Sequence, residues 1–113
     1  MHEMAIAQGI LDIAIDNAGQ HDAKQIKSIR IQVGKMTEVE PEALRFCFGV
    51  LAEGTMAAGA QLDIVIKPLI GLCRDCRLEF AIDRYRFLCP SCDSLGVEII
   101  SGRELQVEYL EVE

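Results

Sequence analysis

Cys73-Arg74-Asp75-Cys76, followed after twelve residues by Cys89-Pro90-Ser91-Cys92, is the stretch around which the rest of the chain falls into place. Each two-residue spacer lets both sulfurs of a pair face one point, so four thiolates can converge tetrahedrally on a single zinc ion. Pro90 fixes one backbone angle within the second knuckle, and Gly71 and Asp93-Ser94 bracket the loops with residues that tolerate tight turns. Between the pairs, Leu78 to Leu88 is rich in apolar and aromatic residues, which suits the short hairpin of a zinc ribbon. The spacing points to structural zinc on Cys73, Cys76, Cys89 and Cys92; a rubredoxin-like iron site, a pair of redox dithiols and disulfides are the other chemistries open to the same residues. A closed four-thiolate shell leaves no position for water, so such a metal holds shape and function must be sought elsewhere.

A chain of 113 residues suffices for one compact domain or for a small domain carrying a metal-stapled appendage. The second arrangement is expected, because a ribbon of about thirty residues buries too little apolar surface to fold without its metal. Although 50% of residues are hydrophobic, no run approaches the ~20 apolar residues that span a bilayer, and no basic segment precedes an apolar core at the start. A cytoplasmic protein with no membrane insertion is expected. Five cysteines, four spaced for metal and one left over, fit a reducing compartment better than a secreted disulfide scaffold. The formal charge of −7 is wrong for a protein that neutralises phosphates. Even residues 70–100 carry Arg74, Arg77, Arg84 and Arg86 against Asp75, Glu79, Asp83, Asp93 and Glu98. A solvated ribbon face, rather than a nucleic-acid surface, is the reading for those arginines.

From the N-terminus, Met4, Ala7, Leu11, Ala14 and Ala18, widened by Ile10 and Ile15, predict an amphipathic helix over Glu3 to Ala18. Asp12 and Asp16 lie on its polar side, Gly19 is placed to cap it, and Gly9 costs about 1 kcal/mol relative to alanine unless something packs closely on it. Met1, His2 and Glu3 are left as a polar head. Ile29, Ile31 and Val33 alternate with polar residues to predict a strand ended by Gly34. Pro41 then suits the first turn of a second helix, with Glu38 and Glu40 complementing its dipole and Gly54 closing it. Leu44, Cys47, Phe48 and Leu51 form its apolar face, so the odd Cys47 is read as packing in the core. Phe46 and Phe48 cannot both face inward. His21, in a turn-like stretch, is read as a solvated surface residue.

Leu62, Ile64 and Ile66 predict a second strand that Pro68 interrupts, and Leu105, Val107 and Tyr109 a third. The apolar phase slips at Leu110 and Val112, which predicts a bulge or a frayed end. Because the third strand follows the ribbon yet needs partners, it is expected to return to the first sheet. The fold class is therefore α+β: two helices packed on a three-stranded sheet over 1–69 and 101–113, with an inserted four-cysteine zinc-ribbon domain over 70–100.

That architecture names no function. The opening Met1-His2-Glu3-Met4, joined to two cysteine pairs of this spacing and to Val39-Glu40-Pro41-Glu42-Ala43-Leu44, resembles the HypA/HybF family of nickel metallochaperones, which serve NiFe-hydrogenase maturation. The resemblance covers essentially the whole chain. It implies that His2 is a nickel ligand with Glu3 adjacent, and that the four cysteines hold zinc. It further implies Ni(II) as transferred cargo, and a hydrogenase maturation GTPase (HypB type) and a hydrogenase large-subunit precursor as partners, with a homodimer left open. Chemically, the Met1 amine, deprotonated amides and the His2 imidazole are nitrogen donors that can share one plane, as low-spin Ni(II) prefers. The other reading is a zinc-ribbon interaction module in transcription or RNA binding. An enzyme is not expected: only two histidines, no His-x-Glu partner for a deaminase signature and no glycine-rich phosphate loop are present.

Overall fold

The computed structural model describes residues 2–113. Helix α1 (Glu3–Gln20) leads into strand β1 (Ile26–Gly34), a single 3-10 turn (Lys35–Thr37) and helix α2 (Pro41–Ala52). Strand β2 (Gln61–Lys67) follows, then β3 (Ile70–Cys73), β4 (Glu79–Ala81), β5 (Val97–Ser101) and β6 (Leu105–Val112). Two separate three-stranded sheets result, one in the order β2-β1-β6 and one in the order β4-β3-β5. The class is α+β, as the alternation of apolar residues predicts, and β6 does return to the first sheet.

In that sheet β1 runs parallel to β2, with α2 as the crossover between them, and antiparallel to β6. β1 buries one face: Ile26, Ile29, Ile31 and Val33 are all sealed from solvent, while Lys27, Ser28, Arg30 and Gln32 between them stay in reach of it. Against them pack Ala7, Ile10, Leu11, Ala14 and Ala18 of α1 and Leu44, Phe48 and Ala52 of α2. Alanine at three of the five buried α1 positions lets the helix lie close to its neighbours. Phe48 is buried while Phe46 is 71% exposed, which settles the competition between the two rings. Cys47 packs against the core only partly buried.

Several local readings are corrected. Met4 sits at the start of the α1 stripe yet is 48% exposed. Gly19 does not cap α1. The helix runs to Gln20 and closes in a Schellman motif: Asp22 takes the left-handed conformation (φ 55), its N–H donates to Gly19, and Ala23 N–H donates to the Ala18 carbonyl. At α2 the expectations hold, with Pro41 in the first turn, the Glu40 side chain accepting from Glu42 N–H, and Gly54 left-handed (φ 77) just past the end. In β6 the register shifts between Arg30–Tyr109 and Ile31–Val107, leaving Glu108 as the extra residue of a bulge. That bulge turns Leu110 to the core side, which is the phase slip visible in the sequence.

The segment Leu78–Leu88 forms no hairpin of its own. Only β4 is regular there, and it pairs with β3, which is the centre of the second sheet with β5 on its other side. Gly71 is likewise not a turn residue. It lies inside β3, where a Cβ would come within 2.7 Å of Val97 Cγ1 and 2.9 Å of Ile82 Cδ1, so the side chains on both flanks demand glycine. His21 is exposed in the turn after α1, as read from the sequence.

The two sheets meet at the backbone. Gly34 N–H donates to the Glu104 carbonyl at 2.6 Å and Met36 N–H to the Gly102 carbonyl at 2.8 Å. A Cβ on Gly34 would run into the Gly102 carbonyl, and Gly102 itself has φ 118 with Leu69 beneath it. Glycine is required at both positions for the chain to pass this close.

Candidate metal centres

Cys73 is the last residue of β3, so the sheet ends by presenting its sulfur, and Cys76 follows one turn later. The Cys76 N–H points at Cys73 Sγ (3.4 Å), and the second knuckle repeats this with Cys92 N–H and Cys89 Sγ (3.5 Å). Arg77 and Asp93, the residues just past each pair, both take left-handed backbone. The two knuckles thus share one geometry, with the first cysteine of each buried and the second exposed.

All four Sγ atoms lie within 4.8 Å of one another, and the cross-pairs Cys73–Cys92 and Cys76–Cys89 are each 3.5 Å apart. A tetrahedron of sulfurs about 2.3 Å from a zinc ion has edges of about 3.8 Å, so these donors can hold zinc with small adjustment. Their protonation behaviour agrees. The Cys76 backbone N–H, aided by other donors, lowers the Cys73 thiol to about 6. Cys92 feels the Ser94 backbone N–H in the same sense, but its sulfur neighbours, Cys73 first, together with partial desolvation, prevail and push it up to about 12. Four sulfurs this close resist joint ionisation without a cation among them.

His2 stands as the N-cap of α1, exposed, with φ −87 and ψ 88 and no side-chain capping bond. Its carbonyl accepts from Ile6 N–H (3.1 Å). The backbone N–H groups of His2 and Glu3 precede the helical ladder and have no intrahelical acceptor. Glu3 turns its carboxylate across to the start of α2, where Oε2 accepts from Glu40 N–H (3.3 Å). Met1 lies outside the described residues. Among the described residues, only the four cysteines form a group of metal-ligating side chains.

Glu38 and Tyr85 were not legible as site neighbours. Glu38 adopts left-handed backbone (φ 57) and accepts a 2.5 Å hydrogen bond from the Tyr85 hydroxyl, between residues 47 apart in the chain. A run of Glu38-Val39-Glu40-Pro41 signals a helix start, and nothing in it foretells a distant tyrosine. No helix of the described residues is long and apolar enough to cross a membrane.

A family model described as hydrogenase/urease nickel incorporation, metallochaperone, hypA matches residues 1–112. A hydrogenase maturation factor HypA from Geotalea uraniireducens (strain Rf4) is 40% identical over 113 residues, covering all of both chains. One from Desulfitobacterium hafniense (strain DSM 10664 / DCB-2) is 38% identical, covering all of this chain and 99% of the relative. Among solved structures, the solution structure of the Ni metallochaperone HypA from Helicobacter pylori aligns with a TM-score of 0.70 at 23% identity, covering 99% of this chain and 97% of that one. A likeness at that identity speaks for the fold.

Proposed function

The chain belongs to the HypA family of hydrogenase and urease nickel-incorporation metallochaperones, and from that premise we propose that it binds Ni(II) at its N-terminal head and delivers it to the hydrogenase large-subunit precursor. It is a nickel metallochaperone of hydrogenase maturation and not an enzyme, so nickel is cargo. The family also displaces the alternative of a transcription or RNA-binding module.

The observation that carries the reading is the placement of His2: exposed, outside the helix, with its own N–H and that of Glu3 unclaimed by the α1 ladder. A plane of four nitrogens, from the Met1 amine, the His2 and Glu3 amides and the His2 imidazole, closes small chelate rings and suits low-spin Ni(II). Glu3 contributes its amide better than its carboxylate, which is turned toward Glu40. An exposed site at a helix start suits transfer, since release needs no core to open. Residues 1–69 and 101–113 act as the nickel-binding domain in this scheme, and residues 70–100 as a zinc-ribbon domain. There Cys73, Cys76, Cys89 and Cys92 hold a zinc ion that would cross-link the two knuckles and fold the ribbon. A maturation GTPase of the HypB type would hand on or receive the protein, in the cytoplasm.

NMR of the untagged protein during nickel titration tests the ligand plane. A square-planar complex is diamagnetic, so signals of residues 2–4 should shift and stay sharp. Paramagnetic broadening through the first turn of α1 would show an octahedral site with other donors.

A further inference from the structure

The buried face of the first sheet is left partly open along β6. In the order β2-β1-β6 this is an edge strand, and its core-side residues Leu105, Val107, Leu110 and Val112 lie opposite Val33, Ile31, Ile29 and Ile26 of β1. Those four β1 residues are at most 1% exposed, whereas Leu105 is 44% and Val112 43% exposed, so α1 reaches the middle of β6, where Val107 and Leu110 are partly buried against the core, and leaves the two ends of the strand open. Ile13 of α1 borders the opening at 49% exposure. A cavity of about 350 Å³ lies between Ala5, Ile6 and Gly9 on the helix and Leu105 and Val107 on the strand, and another of about 310 Å³ carries on past Ile13 to Leu110 and Val112.

Gly9 belongs to this opening and is otherwise unexplained. A glycine inside a helix is unfavourable, yet a Cβ at position 9 would meet nothing within 4 Å. Nothing among the described residues fills the space, and its absence of a side chain deepens the trough. The charges are one-sided as well. Residues 3–20 and 105–113 contain Glu3, Asp12, Asp16, Glu108, Glu111 and Glu113, and no lysine or arginine. Arg30 and Lys27 of β1 answer Glu108 and Glu113 only.

We propose that the opening between α1 and β6 is a docking groove that takes up an extended, basic, amphipathic segment of a partner protein as a further strand beside β6. The free backbone groups of the edge supply the pairing, the trough of Ala5, Gly9, Ile13 and Leu105 takes alternate aliphatic side chains, and the carboxylates meet the intervening lysines or arginines. A second copy is the wrong occupant. Antiparallel pairing of two β6 strands would bring Glu108, Glu111 and Glu113 against their counterparts, and like charges across strands repel. None of the metal-ligand roles proposed above is used.

The test is an NMR titration of the metal-loaded full chain with a capped octapeptide alternating lysine and valine, and with its counterpart carrying glutamate for lysine. The lysine peptide should shift amides of 105–112 and of α1 around Gly9, slow the exchange of β6 N–H groups, and bind less tightly as salt rises. Gly9→Leu, which fills the trough and favours the helix, should weaken binding by about tenfold or more with the fold intact. Ile13→Gln, on an exposed position, should weaken it too and serves if the first variant misfolds. Equal binding of the glutamate peptide, undiminished binding by a folded variant, shifts confined elsewhere, no shifts at about 1 mM peptide, or a dimer through β6 by sedimentation would each overturn the proposal.

Discussion

His2 contributes a backbone carbonyl to α1 and no side-chain contact to the core, so His2→Ala should leave the melting curve and the amide spectrum beyond the first turn unchanged while removing tight nickel binding. Gly34 is the opposite kind of residue. Gly34→Ala drives a Cβ into the Gly102 carbonyl at the junction of the two sheets and should cost about 3 kcal/mol in denaturant unfolding. Glu104 stands at the same junction. Its carboxyl is held below its ordinary value of 4.5, first by its own backbone N–H, then by the Gly102 N–H and the Ser101 hydroxyl. A depressed carboxyl stabilises the fold above the unfolded value and loses that contribution as pH falls through the folded one. Melting temperatures of the native protein and Glu104→Gln should therefore converge as pH falls from 4.5 through the depressed carboxyl range, the acid response of the thiolates being common to both; a constant gap would deny Glu104 this role. At this scale the sequence was uneven as a guide. The two Cys-x-x-Cys pairs declare their geometry through spacing alone, whereas Gly71 reads as a turn residue because glycine marks close packing and tight turns alike.

A single strand explains why the ribbon depends on its cysteines. β3 is central to its sheet and ends at Cys73, while β4 has three residues and β5 five, too little paired structure to stand unaided. Replacing any one of Cys73, Cys76, Cys89 or Cys92 by serine should cost the metal and the chemical-shift dispersion of 70–101, with the helical circular dichroism of α1 and α2 retained. Stoichiometric zinc and an unaltered ribbon spectrum in a protein lacking two of the cysteines would contradict this. The periodicities of α1, α2, β1 and β2 were readable because each buries one face on one core. The cap of α1 was not, since the preference for glycine at a left-handed residue is a tendency and here Asp22 occupies it, one turn past Gly19. The pairing of β3 with β4 across the first knuckle and with β5 across both knuckles was hidden because it joins short strands through irregular loops that carry no periodicity.

Across the whole molecule a chain of contacts runs between the two proposed metal sites: Glu3 bonds to Glu40 at the start of α2, and Glu38, two residues before, bonds to Tyr85 of the ribbon. The Glu38 bond holds the Tyr85 phenol above its ordinary value of 10.0, so the link is present at neutral pH and is lost only as pH climbs past that region. Tyr85→Phe should change residual dipolar couplings between the ribbon and the helices and shift the amides of Glu38 and Glu40, while both folded units persist; unchanged couplings would show that the backbone junction alone sets their orientation. None of this long-range arrangement was legible, because a single sequence does not say which turn meets which helix start. The role of the N-terminal head is the claim on which the functional account turns, and calorimetry of Ni(II) binding to three proteins tests it most directly: untagged, extended at the N-terminus, and His2→Ala. Tight binding is expected only in the untagged protein, weakening as pH drops because protons compete with the metal for its nitrogen donors. An extended protein that binds nickel as tightly as the untagged one would contradict it, for the Met1 amine would then be no ligand.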